Sequence, residues 1–126
     1  MRSVEYLVIS LGGILGCNTR YLVGIWAAQR FGTTFPYGTF IINVSGSLFL
    51  GFFMAFLRDR DFIHPNYRLF FATGFAGGYT TFSTFMYESL RLVQDGSVLL
   101  GFLNMFGSLM VGLLGVFVGF VLGGLV

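Results

Sequence analysis

The sequence predicts an all-α integral membrane protein with four transmembrane helices. Of its 126 residues, 56% are hydrophobic and only 10% are charged, whereas a soluble domain carries about 25% charged residues. The charges also leave three long stretches without any charged residue, at 31–57, 69–87 and 96–126. Since about 20 apolar residues cross the hydrocarbon core of a bilayer as a helix, each of these stretches is long enough to span it.

Residues that break helices separate the hydrophobic stretches. Gly32 and Pro36 mark the first loop, Pro65 follows a charged second loop, and Gly96 lies in the third. The loops are too short to hold a second domain, so residues 1–126 are expected to form one transmembrane domain. The four helices are expected at about residues 4–28, 37–57, 68–93 and 97–125.

The arginines indicate an orientation in the membrane. With four helices both termini lie on one side, and the positive-inside tendency compares the arginines near each side. Four against two favour cytoplasmic termini by a modest margin, which leaves insertion in both orientations open, in a multi-pass protein of the plasma membrane, the bacterial inner membrane. The two groups are Arg2, Arg58, Arg60 and Arg68 against Arg30 and Arg91.

Several functional classes are disfavoured by the composition. A net charge of +2 is too small to indicate nucleic-acid binding. Cys17 is the only cysteine and His64 the only histidine, so neither a disulfide within the chain nor a thiolate metal cluster is expected. No motif pairs a nucleophile with a base, and we do not expect an enzyme.

Glycines recur four residues apart along the predicted helices. Small residues at this spacing let helix backbones approach closely in a membrane, so most of them indicate a tight bundle or an oligomer interface. Four helices are also few to enclose a pathway, which favours a homo-oligomer. The spaced glycines are Gly12 and Gly16, Gly74 and Gly78, and Gly115, Gly119 and Gly123.

Polar residues inside a membrane are costly and therefore informative. Arg20 in helix 1 is either a snorkelling arginine or a cation that faces an anion. Asn43 in helix 2 either bonds between helices or offers a donor to a pathway. In helix 4, Asn104 and Ser108 lie four apart and share a face, although a membrane serine alone often bonds to its own backbone.

The third hydrophobic stretch has the highest density of unusual residues. The adjacent Gly77 and Gly78 weaken its helix in mid-span, and backbone carbonyls freed by a break are natural ligands for a hard cation such as Na⁺. Phe82 and Phe85 lie on one face. Four hydroxyls fall within the same short segment, at Thr80, Thr81, Ser83 and Thr84.

These donors suit a small, hard anion. They offer N–H and O–H groups without a fixed negative charge, and the edges of phenylalanine rings carry partial positive charge. A weakly binding path of this kind can release its ion, as conduction requires. A proton-coupled transporter would instead need an intramembrane carboxylate, and Glu5 and Glu88 both lie towards helix ends.

The sequence resembles the Fluc (CrcB-type) family of fluoride channels over essentially its whole length. Three motifs carry the resemblance. They are Gly12-Gly13-x-x-Gly16-x-x-x-Arg20, Pro36-Tyr37-Gly38-Thr39-x-x-x-Asn43-x-x-Gly46, and Gly74-Phe75-x-Gly77-Gly78-x-Thr80-Thr81-Phe82-Ser83-Thr84-Phe85 with Glu88 following.

The resemblance implies a passive fluoride channel that lets cytoplasmic fluoride leave the cell and so lowers its toxicity. It implies an antiparallel, dual-topology homodimer with two pores and a break in helix 3. One structural Na⁺ would lie at the dimer centre, held by the backbone carbonyls of Gly77 and Thr80. Phe82, Phe85 and Asn43 would line the pore and Arg20 a vestibule. The polar positions along the path would be Ser83, Thr84 and Ser108.

Helix 4 departs from the family pattern. Asn104 stands where some relatives have an aromatic residue, and Gly112 and Val116 stand where the row of hydroxyls can continue. Asn104 either replaces that part of the row or only packs. Two other functional classes stay open, a dual-topology small multidrug-type exporter and a non-transporting subunit of a larger complex.

Overall fold

The computed structural model describes residues 2–126, and these form helices joined by short connections. The described chain is therefore all-helical, with no strand among residues 2–126. In chain order the helices are α1 (Arg2–Phe31), α2 (Tyr37–Arg58), α3 (Pro65–Arg68), a π-helix (Leu69–Ala76), α4 (Gly77–Tyr79), α5 (Phe82–Gln94) and α6 (Val98–Leu125).

Three of these helices, α1, α2 and α6, are long and apolar enough to cross a membrane. Even α2, the shortest of the three at 22 residues, is about 33 Å long at 1.5 Å per residue. Large apolar side chains remain exposed on α1 and α6, among them Trp26, Leu113 and Phe117. This surface suits lipid or another subunit better than water.

The third hydrophobic stretch differs in detail from the helix expected at 68–93. It begins earlier, at Pro65, because the ring of His64 accepts a hydrogen bond from the N–H of Asn66 at 3.1 Å and proline is favourable in a first turn. It runs through α3, the π-helix and α4 to Tyr79. After two residues outside any helix it resumes as α5.

Glycines in α1 let the π-helix approach very closely. A Cβ atom placed on Gly12 would overlap the carbonyl oxygen of Phe70, and one on Gly16 would overlap that of Phe75. A residue other than glycine would have to push the two backbones apart. The predicted role of these two glycines in tight helix packing is confirmed.

The same device joins α2 and α6, whose contact is the most extensive in the bundle. Three glycines of α6 meet three residues of α2 in the same order along both helices, so the two helices run parallel. The pairs are Gly115 with Val44, Gly119 with Leu48, and Gly123 with Phe52. The small-residue face of α6 is therefore also confirmed.

Candidate functional site

Two residues between α4 and α5 leave the helical conformation. Thr80 has φ −82° and ψ 159°, and Thr81 has φ −149° and ψ 121°, so both are extended. The hydroxyl and the N–H of Thr80 both donate to the carbonyl of Ala76, at 2.9 and 3.0 Å. The hydroxyl of Thr81 then caps α5 by accepting from the N–H of Thr84 at 3.3 Å.

Asn43 of α2 satisfies the backbone of this extended segment. Its Nδ2 donates to the carbonyl of Thr81, and its Oδ1 accepts from the N–H of the same residue, both at 2.9 Å. Backbone groups at membrane depth need partners when a helix is interrupted. Asn43 thus bonds to the extended segment between α4 and α5, and it keeps one further N–H of its amide.

Arg20 of α1 reaches the other side of the interruption. Its Nε donates to the carbonyl of Gly78 at 3.2 Å, from a partly buried position. Its Nη2 lies 3.6 Å from the sulfur of Cys17. The guanidinium therefore ends at the interrupted segment, where it places a positive charge beside the polar backbone.

The interruption also frees backbone carbonyls. In a continuous helix the N–H of Thr81 would donate to the carbonyl of Gly77, but here it donates to Asn43. Likewise the N–H of Thr84 goes to the hydroxyl of Thr81 and not to the carbonyl of Thr80. Carbonyl oxygens suit hard cations, and Gly77 is exposed on this chain. The residues present therefore fit the Na⁺ that the family resemblance implies.

Four of the expected pore residues line one cleft of about 510 Å³ between α2, α5 and α6. These four are Asn43, Phe82, Phe85 and Ser108, and we call their cleft the phenylalanine cleft. Among residues 2–126, no charged side chain lines it. The remaining lining residues include Gly77 and Thr80 at the interruption, and Gly112 and Val116 on α6.

The two phenylalanines meet edge to face. Their ring centroids are 6.2 Å apart and their planes are inclined by 77°. Phe82 is 72% exposed on the single chain. One ring edge, which carries partial positive charge, is therefore available beside the cleft.

A second cleft of about 590 Å³ lies on the α1 side of the interruption. We call it the arginine cleft, because Arg20 and Arg91 line it. It also holds Thr84, an expected site residue, together with Thr39 and Glu88. Thr81 lines both clefts, so the pair that it makes with Asn43 stands between them.

Glu88 and Thr39 are site residues that the sequence reasoning did not select. The hydroxyl of Thr39 donates to Oε1 of Glu88, and both face the arginine cleft. A signal for them existed, because Thr84, Glu88 and Arg91 follow one another at helical spacing on α5. Arg91 also lies 3.8 Å from Asp95 at the exposed end of the cleft.

Two expected pore residues lie elsewhere. Ser83 is exposed and, within the described residues 2–126, is not part of the lining of either cleft. Asn104 is only 2% exposed, and its Nδ2 donates to the hydroxyl of Ser89 at 2.8 Å. Its amide therefore lies in the contact between α5 and α6.

No three metal-ligating side chains come together in the described part of the chain. A helical bundle with membrane-spanning helices, in which polar side chains converge on an interrupted segment, is typical of membrane transport proteins and not of enzymes. The chain belongs to the CrcB family, since the model of the CrcB-like protein, Camphor Resistance (CrcB), matches residues 7–120. As a member it is a multi-pass membrane protein, consistent with the bacterial inner membrane.

Similar proteins from several bacteria carry the name fluoride-specific ion channel FluC. The protein from Acidobacterium capsulatum is 47% identical over 95% of this chain and 96% of its own length. The Chloroflexus aurantiacus protein is 48% identical over 93% of both chains. The Clostridium perfringens protein is 47% identical over 90% of this chain and 88% of its own.

Proposed function

We propose that this chain is one subunit of a passive, fluoride-selective channel. Two copies assemble as an antiparallel, dual-topology homodimer with two pores, and each chain crosses the membrane four times. Fluoride leaves the cytoplasm down its gradient, which lowers its toxicity to the cell. The proposal is supported by the family membership and by the names of relatives that match this chain over most of its length.

The observation that carries the proposal is the lining of the phenylalanine cleft. The lining includes the amide of Asn43, the hydroxyl of Ser108 and two phenylalanine rings. Among the described residues, it includes no charged side chain. Hydrogen-bond donors replace the water of a small anion, while the lack of a fixed cation keeps binding weak enough for release. A large anion gains less from such donors because its charge is more diffuse.

Arg20 and Thr84 act at the entrance to this path. The guanidinium of Arg20 attracts an anion to the arginine cleft, while the charge of Arg91 is paired with Asp95. Thr84 offers a hydroxyl beside Thr81, at the boundary of the two clefts. Ser83 is exposed on one chain and would contribute where a second subunit covers α5.

A structural Na⁺ would be held by the carbonyls of Gly77 and Thr80. When bound, it neutralises the partial negative charge of carbonyls that the interrupted helix leaves without N–H partners. Gly77 and Phe82 are exposed on the single chain, and a partner subunit in the proposed homodimer would cover both.

The position of Glu88 bears on the exporter alternative. Its carboxylate faces a cleft, as a proton-coupled exporter would require. However, it is bonded to Thr39, and two arginines line the same cleft. The family membership favours the channel.

The proposal is tested by fluoride efflux from liposomes that contain the purified protein. A K⁺ ionophore releases the counter-charge, a fluoride electrode records the efflux, and chloride is the parallel anion. Rapid fluoride efflux with negligible chloride efflux is expected. If protein shown to be folded and dimeric gave no efflux of either anion, this would contradict the channel function and favour a non-transporting subunit of a larger complex.

A further inference from the structure

Ser108 does not bond to the backbone of its own helix, although several other helical hydroxyls of this chain do. In a helix, serine and threonine hydroxyls commonly donate to the carbonyl four residues earlier. Four hydroxyls within the described helices do so here at 2.6 to 2.8 Å, those of Ser10, Thr19, Ser47 and Ser89. Ser108 instead donates to the side-chain Oδ1 of Asn104, at 3.4 Å.

The orientation of the Asn104 amide is fixed from its other end. The hydroxyl of Ser89 donates to the carbonyl of Phe85 at 2.8 Å, so its oxygen is left to accept from Nδ2 of Asn104 at 2.8 Å. With Nδ2 committed to Ser89, Oδ1 has to face Ser108. Asn104 and Ser89 are each 2% exposed, so water does not compete for these bonds.

The bond that holds Ser108 is long. Oxygen-to-oxygen hydrogen bonds are usually about 2.7–2.8 Å, so a 3.4 Å bond is weak and is readily exchanged for a stronger acceptor. An anion in the phenylalanine cleft is such an acceptor, because charge-assisted bonds are about twice as strong as neutral ones. Ser108 lines that cleft, and its hydroxyl proton can turn from Asn104 to the anion.

We infer that Asn104 is a positioning residue for conduction, which keeps the Ser108 hydroxyl out of its backbone bond and available to an anion in the cleft. The inference rests on the proposed fluoride channel. Ser108 is one donor among several, so its removal slows fluoride efflux without ending it. Without Asn104, the hydroxyl settles into the shorter bond with the backbone carbonyl of residue 104 and is withdrawn from the path.

The test is a double-mutant cycle on fluoride efflux from liposomes, with dimer assembly and thermal stability measured on every variant. Asn104→Leu has nearly the same size and no acceptor. We expect it to lower fluoride efflux about tenfold, as loss of one hydrogen-bond donor from the path predicts. In the Ser108→Ala background the same change should alter efflux by less than about twofold.

Ser89→Ala is the milder second variant, because it removes only the anchor of the Asn104 amide. It should lower efflux by a smaller factor than Asn104→Leu, again only when Ser108 is present, and it keeps the test available if Asn104→Leu does not assemble. The inference would be overturned, with the channel intact, if Asn104→Leu lowered efflux by the same factor with and without Ser108. A Ser108→Ala dimer that carries no fluoride at all would overturn it as well. A parent protein that carries no fluoride would instead overturn the proposed function and this inference with it.

Discussion

Asn43 and Thr81 bind each other through two hydrogen bonds that run in opposite directions, each 2.9 Å long. One amide side chain thereby satisfies both the N–H and the carbonyl of an extended residue. The residues are 38 positions apart in the sequence, so the contact joins α2 to the interrupted third segment. The same residue pair separates the phenylalanine cleft from the arginine cleft.

Asn43→Leu should therefore weaken the fold as well as transport. The change leaves two partly buried backbone groups without partners, and we expect the free energy of unfolding to fall by about 1–3 kcal/mol. Reversible unfolding in detergent measures the loss. Asn18→Leu is the matched control, because Asn18 is exposed and, among the described residues, bonds only to Ile14 of its own helix. Equal losses in the two variants would contradict the role of Asn43 at the interruption.

Phe82 and Phe85 should matter for fluoride more than for assembly. Phe82→Ile or Phe85→Ile removes the positive ring edge while keeping an apolar side chain, and we expect fluoride efflux to fall about tenfold or more. Size-exclusion chromatography should still show the dimer.

Phe102→Ile is the matched control for these rings. Phe102 is also exposed, and it stacks on Phe106 of α6 with a centroid distance of 5.9 Å, away from the lining of the phenylalanine cleft in the described chain. Its replacement should leave efflux unchanged. Unchanged efflux in both pore variants would remove the phenylalanines from the path.

Local patterns in the sequence were sufficient to predict that this is a membrane protein and to predict much of the helix packing. Charge-free stretches indicated α2 and α6, and the glycine spacing indicated which faces approach closely. These features depend on neighbours within a few turns of one helix. Such local patterns can therefore be recognised in the sequence before the fold is known.

Partners of single polar residues could not be predicted in the same way. Thr39 and Glu88 are 49 residues apart, and Asn104 and Ser89 are 15 apart, so only the tertiary arrangement brings them together. Asn104 was expected either to continue the row of donors beside Ser108 or only to pack, and on this chain it lies buried between two helices. The π-helix likewise leaves no periodic signal, because its hydrophobic residues surround the whole helix.

Removal of Na⁺ should impair transport if carbonyls of Gly77 and Thr80 hold the ion. We expect prolonged dialysis against N-methylglucamine to lower fluoride efflux about tenfold or more, and return of Na⁺ to restore it. Thermal unfolding, followed in both salts at equal ionic strength, should show a lower melting temperature without Na⁺. Full efflux and an unchanged melting temperature after long dialysis would contradict a structural Na⁺.

Glu88→Gln separates the channel from the exporter. A passive channel needs no titrating carboxylate, so the variant, which keeps an acceptor for the Thr39 hydroxyl, should retain fluoride efflux within about tenfold of the parent. An imposed proton gradient should drive no fluoride uptake by either protein beyond what the membrane potential explains. An exporter would lose its coupling with this carboxylate. Loss of more than about a hundredfold in Glu88→Gln, together with proton-driven fluoride movement in the parent, would therefore favour coupled export.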